Sequence, residues 1–429
     1  MNDAITAPYI SVGIDVAADD SFVCIMLPSF EVFGKPFKVV HTDLASLDKA
    51  VSVIKKAEMK FQMKSQIFLE STGIFHFPLF CFLKNEGFEV FVLNPLITHS
   101  TKNASVRKVK NDKFDSIKIA KIGLDPKTKK SVIADEFVLN LRLLSRQYYV
   151  FSDDRTALIN RLSNHVRIAF PAFIGIFSDL AGITSLDILR SIHSLDQLLS
   201  AERDDMIAHI AKSARKGFAY AAKKFDAIIE AVHISKKLTF NLPDVFSVIH
   251  AFIDQIFLID KHMDDIANRI HDIVKDNIFH PFVNQIMLID AISGVGFLSA
   301  VTLMCEIGNF NAFSSPKQLF AFFGLDPSVN ESGKFKGTNN HMSKRGSRLA
   351  RRIIYTIALA SIRNKPNGQP FNSVLQAFYQ DKVKSKLKKV ALGAVMHKVS
   401  NIVFAVLRDE SSFAVRTPEE HIRFHVASV

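Results

Sequence analysis

Residues 9–125 alternate between short β-rich segments and stretches with apolar residues at helical spacing, and this order restricts the fold more than any other feature. The strand-like segments are Tyr9–Val16, Ser21–Leu27, Lys38–His41, Gln66–Leu69 and Glu89–Leu93. The helix-like segments are Leu44–Met59, Phe75–Asn85 and Lys113–Ile122. The sequence therefore predicts a mixed α/β domain with the order βββ-α-β-α-β-α.

This order is that of an RNase H-like domain, and four acidic residues stand at informative positions within it. Asp15 lies inside the apolar strand Val12–Val16, where a charge is costly unless it is paired or bound to a metal. Glu70 ends the fourth strand. Asp112 and Asp115 stand three apart at a predicted helix start and can share one face. Four carboxylates suit two Mg²⁺ ions, which at ~3.5–4 Å separation stabilise both the attacking and the leaving oxygen of a phosphodiester.

A local explanation is open for two of these acids. Asp112 and Asp115 could pair with the lysines around them, which are Lys108, Lys110, Lys113 and Lys118.

Residues 137–280 are predicted to be mostly helical, with an a/d seam of apolar residues spaced alternately by three and four. The seam consists of Ile249, Phe252, Ile256, Ile259, Met263, Ile266, Ile270 and Ile273. It fits either an intramolecular helical hairpin with an earlier helix around Leu139–Ile168 or a dimerising coiled coil. Residues 171–245 contain a basic patch, Lys212–Lys224, for which the sequence indicates no specific role.

Residues 281–408 form a third unit with two features that suit nucleic acid. Ile289–Gly296 (IDAISGVG) precedes the helical run Phe297–Cys305, and a glycine turn that opens a helix offers backbone N–H groups to a phosphate, as in a helix-hairpin-helix contact. The polar loop Gly324–Gly333 contains Ser332, whose hydroxyl could be presented to a phosphate. The basic residues that would bind phosphates are Lys344, Arg345, Arg348 and Arg351.

The net charge of +12 is concentrated in two blocks. Lys334–Lys389 has 14 Lys and Arg against one acid, and Lys102–Lys130 has 10 basic residues against three Asp. Such blocks predict a polyanionic partner, because each neutralised phosphate releases counterions.

Three observations predict a cytoplasmic protein. No stretch without a charged residue exceeds the 15 residues of Ala291–Cys305, fewer than the ~20 of a membrane span. The N-terminus lacks the features of a secretion signal. The three cysteines lie far apart, which excludes a disulfide framework or a cysteine zinc site.

Two groups of motifs together resemble the IS110 family of transposases, whose relatives include Piv-type DNA invertases. From Tyr9 to Gly123 the resemblance covers VGIDVA (Asp15), FLESTG (Glu70) and KNDKFDSIKIA (Asp112 and Asp115). From Leu288 to Arg408 it covers IDAISGVG, FGLDPSVNESGKFKG, HMSKRGSRLARR and VMHKVSNIVFAVL. The middle, about 125–280, matches only as helical and is longer than usual.

The resemblance implies an α/β plus all-α architecture, with a RuvC-like domain holding four metal-ligating acids and a C-terminal transposase domain carrying a nucleophilic serine. By motif position that serine is Ser332, with Ser328 as runner-up. Members assemble as oligomers, thought to be tetramers, whose active sites combine the acids of one subunit with the serine of another. They use a bridge RNA that pairs with donor and target DNA, and they transfer strands through a 5′-phosphoserine link without ATP.

The sequence departs from the family pattern at Ser347, where Asn usually follows SKRG, and at Ala350, where Leu is common. Neither position bears on the acids or on Ser332.

These observations predict four regions and a bacterial DNA transposase/recombinase that uses Mg²⁺. The regions are 1–125 (RuvC-like), 126–280 (helical, oligomerising), 281–410 (transposase domain) and 411–429 (tail). Two other functions fit the same residues: a metal-dependent nuclease of the junction-resolvase type, and a non-catalytic RNA/DNA-binding protein.

Overall fold

The computed structural model describes residues 8–70, 75–93, 112–126, 128, 136–327, 331–332, 335–336, 341–417, 419–420 and 423. At 112, 243, 331–332 and 335–336 it describes the backbone alone. The chain divides into two compact units, 1–135 and 136–429. Seven of the ten basic residues of the block Lys102–Lys130 fall outside the described residues.

The first unit is built on a five-stranded mixed sheet with the strand order β3-β2-β1-β4-β5. Its strands are β1 (Ile10–Val16), β2 (Asp20–Met26), β3 (Phe37–Val40), β4 (Ser65–Glu70) and β5 (Glu89–Leu93). Its helices are α1 (Leu44–Phe61), α2 (His76–Asn85) and α3 (Asp112–Leu124). The predicted mixed α/β order is confirmed, and each element lies within two residues of its predicted bounds.

Alternation along the central strand β1 assigns the two faces of the sheet to different helices. Ile10, Val12 and Ile14 are buried in one core with apolar residues of α1 and α2. The intervening residues Ser11 and Gly13 face α3, because the Ser11 hydroxyl donates to Ala120 O at 2.7 Å. Strand β1 pairs in parallel with β4 and antiparallel with β2.

Two glycines let α3 approach the sheet closely. A Cβ at Gly13 would lie 2.2 Å from Ala120 N and 2.4 Å from Ser116 O. A Cβ at Gly123 would lie 2.4 Å from both the Phe68 ring and the Ser11 hydroxyl. Any side chain at either position would therefore push α3 away from β1 and β4.

The second unit is mostly helical. Its first half contains α4 (Glu136–Ala169), α5 (Ile183–Ser191), α6 (Leu195–Ser200), α7 (Arg203–Ala214), α8 (Phe218–Leu238) and α9 (Pro243–Asp276). Its second half contains α10 (Pro281–Asp290), α11 (Phe297–Ile307), α12 (Pro316–Phe322), β6 (Glu331–Ser332), β7 (Phe335–Lys336), α13 (Arg348–Ser361), α14 (Ser373–Val383) and α15 (Lys388–Asp409).

Helices α4 and α9 form an antiparallel pair within the chain. The Phe151 and His262 rings are 5.6 Å apart between centroids, and those of His165 and Phe252 are 5.1 Å apart. Residue numbers therefore increase along α4 in the direction in which they decrease along α9. The apolar seam of α9 takes part in this intramolecular hairpin, one of its two predicted roles, and the dimerising coiled coil stays a prediction.

The stretch without a sequence-based interpretation, 171–245, forms a helical layer beside this hairpin. Its buried apolar residues, which include Phe173, Leu189 and Ile228, form one hydrophobic core with the C-terminal part of α4 and the N-terminal part of α9.

Helix α15 is long and apolar enough to cross a membrane by length and composition, and 56% of its apolar window is buried inside the fold. Because α15 packs against α12, α13 and α14, it serves as a core helix of the second unit.

Candidate active-site residues of the two units

Asp15 and Glu70 lie at the same edge of the sheet. Strands β1 and β4 run parallel, with Ile14 paired to Leu69, so Asp15 and Glu70 are the next residues on neighbouring strands. Glu70 is the last residue of β4. Since aligned residues of parallel strands point to one face, both carboxylates lie on the face that α3 covers.

Helix α3 brings its first turn towards this edge. Its contacts with β1 run in the opposite direction to the strand: Ser11 meets Gly123 and Ala120, whereas Gly13 meets Ala120 and Ser116. Two residues beyond Gly13 on β1 is Asp15. One turn before Ser116 on α3 is the first turn of that helix. Asp112 begins α3, and Asp115 follows one turn later. The backbone therefore brings the end of β1, the end of β4 and the first turn of α3 towards the same edge of the sheet.

The burial of two of these acids sets them apart from ordinary surface carboxylates. Glu70 is 6% exposed and Asp115 is 8% exposed. Asp115 accepts a hydrogen bond from Lys118 Nζ at 2.9 Å, so the predicted local pairing is present for this lysine.

The chemistry of these residues suits a hard divalent cation, because all four are carboxylates. Among the described side chains, no three His, Cys, Asp or Glu residues are grouped closely enough to hold a metal ion. The Asp112 side chain is outside the described part. Such a set of acids suggests the use of a divalent metal in general.

The predicted nucleophile lies in a small hairpin of the second unit. Ser332 is in β6, where it pairs with Phe335 of the antiparallel strand β7. Its side chain and the whole of Ser328 lie outside the described residues.

The two chain segments that lead into and out of this hairpin are joined to each other. Ser343 Oγ donates to Asp326 Oδ1 at 2.5 Å, and Ser343 N donates to Asp326 O at 2.8 Å. Pro327 forms an antiparallel bridge with Met342. The base of the serine-bearing loop is therefore fixed, although the two segments are some fifteen residues apart in the chain.

Two glycines of the family motifs contact each other at this base. A Cβ at Gly346 would lie 1.8 Å from Phe322 O, and a Cβ at Gly324 would lie 2.5 Å from Gly346 N. Gly324 also has φ +66°, in the left-handed region that favours glycine. The FGLDPS and SKRG motifs thus meet backbone to backbone, which requires both glycines.

The predicted phosphate-binding residues differ in their surroundings. Lys344, Arg345 and Arg348 are exposed. Arg351 is half-buried and donates from Nη1 to Phe323 O at 2.9 Å, so it helps to hold the end of α12. Its predicted contact with nucleic acid stays a prediction.

The sequence reasoning missed a buried ionic network centred on Glu306. This residue of α11 is 8% exposed and accepts from Arg146 Nε at 2.7 Å and from Ser347 Oγ at 2.6 Å. Ser347 also caps α13 by accepting from Ala350 N at 3.1 Å. The available signal was a lone acid in the apolar helix Phe297–Ile307, the same signal that drew attention to Asp15.

The helix-hairpin-helix-like segment is a turn between α10 and α11. Gly294 has φ +96°, and a Cβ there would lie 2.9 Å from the Ser361 hydroxyl. Gly296 precedes the first residue of α11, with no atom within 4 Å of its would-be Cβ. Gly294 thus has a packing role, and the contact with nucleic acid stays a prediction.

The first unit has a mixed sheet with acidic residues at the ends of two neighbouring strands. The second unit is helical and carries a glycine-serine loop and a basic segment. These features define a nuclease-like protein with a second functional domain. A family model for the DEDD transposase domain of IS110 elements matches residues 12–171. A second, described as the transposase IS116/IS110/IS902 family, matches residues 287–378. The chain belongs to the IS110 family of transposases.

A curated relative is similar over part of its length. A transposase for insertion sequence element IS1111A from Coxiella burnetii is 24% identical over 196 residues, which is 46% of this chain. The match covers 50% of that protein, so the chain spans about half the length of this relative. Residues 172–286 lie between the two family matches.

Proposed function

We propose that this protein is a DNA transposase/recombinase that cleaves and rejoins DNA strands through a covalent phosphoserine intermediate. The observation that carries the proposal is the presence of both family domains on one chain, the acidic domain first and the serine domain second.

In this proposal Asp15, Glu70, Asp112 and Asp115 hold Mg²⁺ as two ions. Bound Mg²⁺ would supply charge stabilisation to the attacking and leaving oxygens of a phosphodiester. The proposal is supported by the register of β1 and β4, which makes Asp15 and Glu70 neighbours on parallel strands, and by the burial of Glu70 and Asp115.

Ser332 is the proposed nucleophile. Its Oγ attacks the scissile phosphorus, the bond from phosphorus to the 3′ oxygen breaks, and the departing oxygen takes up the proton that Oγ loses. The 5′ phosphate stays on the serine until the 3′ hydroxyl of another strand attacks it and releases Ser332. Each step exchanges one phosphodiester for another, so no ATP is consumed.

The proposed partners follow from charge and from the family. Lys344, Arg345, Arg348 and Arg351 would bind phosphates of the element ends, of target DNA or of a bridge RNA. A homo-oligomer would form through the helical region 126–280. The other proposed domains are 1–125, 281–410 and 411–429. The setting is the bacterial cytoplasm, at the nucleoid when the protein is bound to DNA.

The test is a search for a denaturant-resistant protein–DNA adduct. Purified protein is incubated with Mg²⁺, the DNA that flanks its gene and co-expressed flanking RNA. We expect an adduct with the wild type and with Ser328→Ala, and none with Ser332→Ala or Asp15→Asn. Filter binding should show that all variants still bind the DNA within about two-fold, since the basic residues that would contact the phosphates are unchanged in each of them.

Two results would contradict the proposal. An adduct that persists in Ser332→Ala and disappears in Ser328→Ala would move the nucleophile to the runner-up. DNA cleavage by the wild type without any adduct would indicate the hydrolytic nuclease.

A further inference from the structure

We propose that the helical layer formed by residues 171–245 carries its own binding surface for single-stranded nucleic acid. The surface lies at the turn between α7 and α8, and it consists of Lys212, Arg215, Lys216, Phe218 and Lys223. We refer to it as the α7–α8 surface. It lies within residues 172–286, which neither family match covers, and it contains none of the residues proposed for the serine chemistry.

The first observation is the charge of this segment. Residues 212–224 contain five basic residues and no acidic residue. The four cations of the α7–α8 surface are exposed, and no carboxylate of the described residues lies within ion-pair distance of them. Elsewhere in the same layer, the cations Arg203 and Lys236 each pair with an aspartate, and the His209 ring contacts Asp187. The α7–α8 surface therefore leaves its charge available to an external anion.

The second observation is a cleft beside these cations. It has a volume of about 660 Å³ and lies between the start of α5 and the end of α7. Lys212 and Arg215 line it together with the hydroxyl-bearing residues Thr184 and Ser213. The Ser213 hydroxyl is buried without a hydrogen-bond partner among the described residues. The one carboxylate in the lining, Asp187, is bound to His209 Nε2 at 2.7 Å.

The third observation is the backbone at Arg215. This residue ends α7 in the left-handed region, with φ 50°, where glycine is favoured and a residue with a Cβ costs free energy. Glycine would fit this backbone better, and the chain has a glycine two residues later, at Gly217. The residue at this position is nevertheless an arginine, which lines the cleft.

The fourth observation selects single strands over duplex. Phe218 opens α8 three residues after Arg215 and is 68% exposed, and Tyr220 is exposed as well. Exposed aromatic rings beside phosphate-binding cations suit bases that are unpaired and free to stack, because a duplex presents mainly its phosphates. Lys224 is excluded from the surface, since its Nζ donates to Ile176 O and lies over the Phe177 ring.

The experiment measures binding of the full-length protein to a fluorescent 20-nucleotide single strand, prepared as DNA and as RNA, and to the corresponding duplex. The main variant is Lys212→Ala/Arg215→Gly, in which glycine keeps the left-handed backbone of residue 215. The matched control is Lys261→Ala/Lys275→Ala, which removes two exposed cations from α9. Phe218→Ala tests stacking, and thermal unfolding of each variant checks the fold.

We expect Lys212→Ala/Arg215→Gly to weaken single-strand binding about ten-fold at moderate salt and to reduce the salt slope by about 1.4, the value for two phosphate contacts. The control should change binding less than two-fold. Phe218→Ala should weaken binding of a single strand at least five-fold and that of the duplex less than two-fold. An equal loss in the control, or an unchanged affinity in the main variant, would overturn the proposal. An equal loss on duplex in Phe218→Ala would overturn its selectivity for single strands.

No recombination is measured in this experiment. A failure of the serine mechanism would therefore leave its result unchanged, and a failure here would leave the serine mechanism untouched.

Discussion

The Glu306 carboxylate connects three helices through one buried charge. Glu306 belongs to α11, its partner Arg146 to α4, and Ser347 caps the start of α13. Burial alone would raise the pKa of Glu306, but the hydrogen bonds from Arg146 and Ser347 and the charges of Arg146 and Arg142 outweigh it and hold this pKa below its ordinary value. The start of α13 is therefore held by an ionised side chain from a different helix.

Replacing this carboxylate should destabilise the second unit. We expect Glu306→Gln to lower the free energy of unfolding by roughly 1–3 kcal/mol near neutral pH, because a neutral amide loses the charge-assisted bonds; exposure of the Arg146 side chain limits the loss. Urea unfolding measures this difference. The exposed Glu230→Gln is the matched control and should change stability by less than about 0.5 kcal/mol.

The pH dependence follows from the sign of the shift. A lowered folded-state pKa stabilises the protein above the ordinary value of 4.5, and this stabilisation is lost as the pH falls through the lower folded-state pKa. The stability difference between the wild type and Glu306→Gln should therefore shrink below pH 4.5. A difference that stays constant into the acid range would contradict this origin.

At the scale of elements, the contact between α3 and β1 determines where the acids lie. The contact depends on Gly13, whose missing side chain leaves room for the backbone of α3. Since Asp112 and Asp115 belong to α3 and Asp15 to β1, any displacement of the helix would separate the proposed metal ligands from one another.

Gly13→Ala should disturb this arrangement. Its Cβ would meet backbone atoms of Ala120 and Ser116, which cannot rotate away, so we expect a loss of about 1–3 kcal/mol in stability. Adduct formation with DNA should fall at least ten-fold. The control Gly393→Ala places a Cβ in open space within α15 and should leave stability unchanged or slightly higher. Normal adduct formation by a Gly13→Ala protein would show that the acids do not depend on this contact.

The elements of the first unit could be predicted from sequence because their signals are local. Strands β1 to β5 show runs of apolar and β-branched residues, and α1 shows regular helical spacing, so even their bounds were close. The positions of Asp15 and Glu70 on two of these strands could be predicted from the same order of strands and helices.

The helical layer 171–245 and the Glu306 network could not be predicted in this way. Helices α5 to α7 are short and gain their burial from a core shared with distant α4 and α9, which no local period reveals. The partners of Glu306 lie 160 and 41 residues away in the chain. Arg351 was predicted to bind phosphate from its basic neighbourhood alone, and its bond to Phe323 O depends on tertiary packing.

At the scale of the whole molecule, the proposed chemistry is divided between the two units. The acids belong to 1–135 and Ser332 belongs to 136–429. The family resemblance implies that one active site combines the acids of one subunit with the serine of another. A shared site of this kind predicts that two inactive variants can restore activity when they are mixed, whereas a site formed within one subunit predicts that they cannot.

Co-expressed Asp15→Asn and Ser332→Ala subunits distinguish the two arrangements. Each variant alone lacks half of every site and should form no adduct. In a mixed dimer with sites shared between subunits, one site combines the intact acids of the Ser332→Ala subunit with the intact serine of the Asp15→Asn subunit. Random mixing then restores about a quarter of the wild-type sites.

A size tag on one variant identifies the subunit that carries the DNA. The adduct should appear on the Asp15→Asn subunit alone, because the other lacks the nucleophile. With sites formed within one subunit, each subunit lacks one essential residue, and the mixture stays as inactive as its components. Co-expressed wild-type subunits that carry the same tags are the control. An absent adduct in the mixture, together with a normal adduct from these wild-type subunits, would reject the shared site.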